Sequence, residues 1–116
     1  MRAAPALLLA LAACGFTAPE DAVPLDPPAI YRDWWLESQS CVQLPVKLHF
    51  ERVEWYVTES QPVDHAGTAG AALEEGGRIW IWREALMRKP VIQHELIHAV
   101  NGVDGHPWNP FGRCNL

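Results

Sequence analysis

The chain is short of basic residues. Nine lysines and arginines face fourteen acids, for a formal net charge of −5. Phosphate recognition needs a basic surface, so nucleic acid is excluded as a principal partner. Nor is there a basic cluster to hold anionic lipid. The longest apolar run, Ala3 to Ala13, is too short to span a bilayer. Internal repeats are absent. Cysteine is scarce and odd in number, three in 116 residues, so one of them needs a role other than an internal pair.

The start of the chain supplies that role. Met1-Arg2 gives a positive end, Leu7-Leu8-Leu9 sits at the centre of the apolar run, and Leu11-Ala12-Ala13-Cys14 follows. This reads as a secretory signal. Its last four residues resemble the lipobox of bacterial lipoproteins. The resemblance implies cleavage before Cys14, lipid on Cys14, and an envelope location. Gly15 is not the aspartate of inner-membrane retention, so a Gram-negative cell would send the chain to the outer membrane. Loss of Arg2 with the leader makes the charge one unit more negative, and membrane attachment then rests on the lipid alone. Residues 1–13 are thus expected to be leader. Residues 14–27, with Pro19, Pro24 and Pro27, are expected to be a lipidated cysteine and tether. Cys41 and Cys114 remain as an even pair in an oxidising compartment, and a disulfide is expected between them.

The most informative residues are His94-Glu95-Leu96-Ile97-His98, an H-E-x-x-H pentad in an apolar setting. With five histidines in 116 residues, a chance match anywhere has a probability of about 2%. Pro90 suits the first turn of a helix, and Asn101-Gly102 suits its end. Ile92, Leu96 and Ala99/Val100 recur at helical spacing. Positions i and i+4 share a face, so His94 and His98 can hold one metal ion, with Glu95 beside it as a general base. A thiolate ligand is disfavoured, because Cys41 and Cys114 both lie outside this helix.

Elsewhere the organisation is coarser. Asp26 with Pro27-Pro28 predicts the start of a helix running from Ile30 to Ser40. Its aromatics, Tyr31, Trp34 and Trp35, read as core. Val46 to Val57 alternates as one bulged strand or two short ones. Residues 60–77 read as a loop, Arg78 to Trp82 as a strand, and Arg83 to Arg88 as a helical turn. The expectation is a small α+β domain over residues 28–116, with a short, mainly antiparallel sheet packed on two helices, the second carrying the pentad.

A strand followed by H-E-x-x-H resembles the zincin metallopeptidases. The resemblance covers residues 94–98 firmly and 78–106 loosely. It implies zinc (Zn2+) held by His94 and His98, with Glu95 polarising the attacking water. It puts Arg78–Trp82 in the place of the rim strand that pairs with extended substrate. The third ligand departs from the metzincin pattern. Asp104 falls at the expected position, but Asn101 replaces the usual glycine, and His106 follows two residues later. His106 is the expected third ligand and Asp104 the alternative. His49 and His65 are weaker candidates. Tyr56, His65 and Arg113 are candidate oxyanion donors. No methionine follows Met87, so a Met-turn is absent, and Trp108, Pro110 and Phe111 are candidates to floor the site. Ten residues follow His106, too few for a lower subdomain, so the expected cleft is shallow or completed by a partner.

The expected function is a lipid-anchored zinc metallopeptidase of the bacterial envelope, acting on peptide or protein. The alternative is a non-catalytic envelope lipoprotein with a structural zinc or a zincin-like binding module.

Overall fold

A computed structural model describes residues 19–60, 70–73 and 77–116. The leader, Cys14, Gly15 and His65 lie outside the described residues. The described chain is α+β, as expected. A four-stranded sheet, β1 (Val23–Pro24), β2 (Glu54–Thr58), β3 (Gly70–Leu73) and β4 (Arg78–Trp82), runs in the order β1-β2-β4-β3. Two helices accompany it, α1 (Ile30–Val42) and α2 (Lys89–Asn101).

The sheet is mixed, with two of its three strand pairings antiparallel, as expected, and one parallel. β1 and β3 pair antiparallel with their neighbours, but the central pair, β2 with β4, is parallel, from Glu54↔Arg78 to Thr58↔Trp82. The reason is β3. Gly70-Ala71-Ala72-Leu73 has no β-branched residue and reads as loop, yet it adds a strand that reverses the chain before β4. β4 consequently has neighbours on both edges.

The alternation from Val46 to Val57 yields one strand, not two. Only Glu54–Thr58 is extended in the sheet, and Phe50–Arg52 is a single 3₁₀ turn. The residues before it serve another helix. The N–H groups of Lys47 and Leu48 donate to the Val100 carbonyl at 2.8 and 3.1 Å, satisfying an acceptor that the end of α2 leaves open.

The segment read as tether enters the fold in its second half. Val23 and Pro24 pair with Val57 and Tyr56, and the Leu25 N–H donates to the Trp55 carbonyl at 2.9 Å. The Asp21 carboxylate accepts from the Ser60 N–H at 3.0 Å. Asp26 does not cap α1, whose N-cap is Ala29 without a side-chain bond.

Strand alternation sends Trp55, Ile79 and Ile81 to one face, where they pack with Tyr31, Ile92, Leu96 and Val100. Tyr56 and Trp80 stack on the opposite face, with ring centroids 5.5 Å apart. The α1 aromatics are core, as expected. Tyr31 lies 4.8 Å from Trp55, and Trp35 stacks on Phe50 at 5.3 Å.

Two polar clamps fix α2 against α1. Near its start, Gln93 donates to the Trp34 carbonyl at 2.8 Å and to Glu37 at 2.9 Å. Hydrogen bonds from Lys89 and Gln93 hold the Glu37 carboxyl below the usual range. At its end the buried Asn101 pairs with Gln39 at 2.8 Å and donates to the Pro45 carbonyl at 3.1 Å.

Tyr31 gives the fold an alkaline limit. Burial pushes its phenol up to about 12, and its hydroxyl donates to the Leu86 carbonyl at 2.6 Å. The folded pKa lies above the ordinary value, so this contribution is complete below about pH 10 and is lost as pH rises towards 12. Stability measured by urea unfolding should fall across that window. In Tyr31→Phe the neutral-pH stability should drop by about 1 kcal/mol and the alkaline fall should flatten. An identical alkaline slope in the variant would remove Tyr31 as its cause.

Candidate metal centre

The site is built at the C-terminal half of α2. Pro90 lies in the first turn, and Gly102 stops the helix in the left-handed conformation with φ of +65°. Asn101 is therefore the last helical residue, not the turning residue. Beyond Gly102 the chain turns back towards α2. Gly105, also left-handed at φ +66°, helps bring it round.

What returns is His106. One ring nitrogen from each of His94, His98 and His106 lies within 4.8 Å of the others. The ring centroids form a nearly equilateral triangle, 5.0, 5.0 and 5.1 Å on its sides. Asp104 is exposed and outside this group. His49 is exposed at the start of the 3₁₀ turn and is also outside it.

The two helical histidines are held by backbone. His94 Nδ1–H donates to the Leu116 carbonyl at 2.9 Å, and His98 Nδ1–H donates to the Val103 carbonyl at 2.7 Å. A carbonyl only accepts, so each Nδ1 carries the proton. Nε2 is then the nitrogen with a lone pair, aimed by a fixed ring. Neither carbonyl has a side-chain signal, so sequence reasoning had no means of naming them.

Phe111 supports all three rings. Its centroid is 4.6 Å from His94, 4.8 Å from His98 and 5.2 Å from His106. It belongs to a small apolar cluster with Val42 and Ile97. Of the three residues expected to floor the site, Phe111 does so. Pro110 is buried in the same turn, and Trp108 is 72% exposed, its indole lying against Gly112.

Burial is graded. His98 and Glu95 are buried, His94 is half-buried and His106 is exposed. Three imidazoles with one open side are a donor set that fits zinc.

Of the named oxyanion candidates, His65 lies outside the described residues, and the other two make contacts elsewhere. Tyr56 lies on the far face of the sheet, its hydroxyl 3.2 Å from Glu54. Arg113 donates to Gln43 at 2.8 Å. Arg78–Trp82 cannot serve as the rim strand, because both its edges are paired. Among the described residues, the open edge near α2 belongs to β3.

No family model matches the chain, and no curated protein or solved structure does either.

Proposed function

We propose that the chain is a zinc-dependent peptidase of the bacterial cell envelope, tethered by lipid at Cys14. The observation that carries the reading is the convergence of His94, His98 and His106, with two rings fixed by backbone carbonyls and Glu95 following the first ligand. When bound there, zinc supplies Lewis acidity, polarising a carbonyl and lowering the pKa of water towards about 7. Glu95 takes a proton from the attacking water and passes it to the leaving amine. The rings of His94 and His98 stay oriented, because their Nδ1–H groups are held. The open edge of β3 suits an extended peptide, which can add to a sheet by main-chain pairing.

Glu95→Gln tests the enzyme reading. Retained zinc with lost protein hydrolysis supports it. Retained hydrolysis contradicts it, and zinc without hydrolysis in the wild type favours a binding module. The tether has a separate test. Cys14→Ser should move the chain from the membrane fraction to the soluble fraction, and an unchanged membrane fraction would contradict lipid attachment.

A further inference from the structure

The last residues of the chain touch the site more than a covering segment needs to. Phe111 lies against all three imidazoles, and the Leu116 carbonyl holds His94. Both belong to one turn, from Trp108 to Leu116. Its backbone bonds are internal, such as Cys114 N–H to the Pro110 carbonyl at 2.9 Å and Leu116 N–H to the Phe111 carbonyl at 2.8 Å. Cys114 is joined by a disulfide to Cys41 in the last turn of α1, 73 residues earlier. Arg113 adds a bond to Gln43 beside it.

We infer that this turn, locked by Cys41–Cys114, is the positioning element of the metal site, with Phe111 and the Leu116 carbonyl as its working contacts. The inference rests on the zinc reading above. The physical case is one of preorganisation. An imidazole on a helix retains ring rotation unless something blocks it. Phe111 blocks it from one side for three rings at once, and Leu116 selects the tautomer of one. Without the covalent lock, both contacts depend on a short turn held only by a small apolar cluster and the Arg113–Gln43 bond. Metal affinity should therefore follow the integrity of the bond, although neither cysteine contacts the metal.

The test is the zinc dissociation constant of the full chain by competition with a chromophoric chelator. The variants are Cys41→Ala/Cys114→Ala, Phe111→Ala and Phe111→Leu, with near-ultraviolet circular dichroism confirming folding. Alanine is used because free thiols would themselves bind zinc. Loss of contacts that orient ligands typically costs 10–100-fold in affinity. A loss of that order is expected in the double variant and in Phe111→Ala, with most of it recovered in Phe111→Leu. The cobalt(II) visible spectrum should change in Phe111→Ala with the disulfide intact, since ligand geometry is what Phe111 sets. Affinities within about twofold of wild type in folded variants would overturn the inference and leave the turn as a cover for the core. If the double variant does not fold, the oxidised Phe111 pair decides. Absence of zinc from the wild type would instead overturn the zinc reading itself.

Discussion

Glu95→Gln should lose peptidase activity by at least about 100-fold while keeping its fold and its zinc. A positioned general base contributes about 10²–10⁴ to rate. The amide keeps the size of the carboxylate but not its basicity. Glu95 is buried on α2, in sequence between His94 and His98, and glutamine fits the same volume. The imidazoles of His94, His98 and His106 are untouched, so on the proposed reading zinc content should stay at one per chain. A structural site has no use for a base in this position. Activity against a general protein substrate and metal content, measured on the same preparation, separate the cases. Undiminished activity would show that Glu95 is not the base. Loss of zinc together with activity would assign Glu95 to holding the site, not to proton transfer.

The second large effect concerns stability. Removing the Cys41–Cys114 bond should lower unfolding stability by about 4 kcal/mol, from the entropy of closing a loop of this length. For a domain of this size that corresponds to roughly 15–30 °C in Tm. The fold has reason to depend on it. The apolar cluster around Val42, Ile97 and Phe111 is small, and the turn that carries Phe111 reaches α1 through this bond. Thermal unfolding of the oxidised chain beside Cys41→Ala/Cys114→Ala checks the figure. A shift below about 3 °C would mean that packing alone holds the turn.

The parts of the molecule that were legible in the sequence are those with a side-chain period. The pentad helix ends at Asn101 before a left-handed Gly102, as its residues predict. The aromatics of α1 are core, and Cys41 meets Cys114. His106 joins the pentad histidines, and Asp104 does not. The missed features lack such a period. β3 is glycine, two alanines and a leucine, and only its pairing with β4 makes it a strand. Without β3, the parallel pairing of β2 with β4 and the misassigned rim strand could not be read either. Val46 to Phe50 alternates like a strand, but Lys47 and Leu48 spend their N–H groups on α2, a tertiary demand that local pattern does not carry. The carbonyls of Val103 and Leu116 belong to the backbone, and no residue type announces them.

The central claim is that three histidines hold one zinc. Zinc content per chain, measured for the wild type beside Asp104→Ala and His106→Ala, tests it most directly. The account predicts about one zinc in the wild type and in Asp104→Ala, and loss in His106→Ala. Loss in Asp104→Ala with retention in His106→Ala would contradict the geometry, and a folded wild type that takes up no zinc would contradict the function.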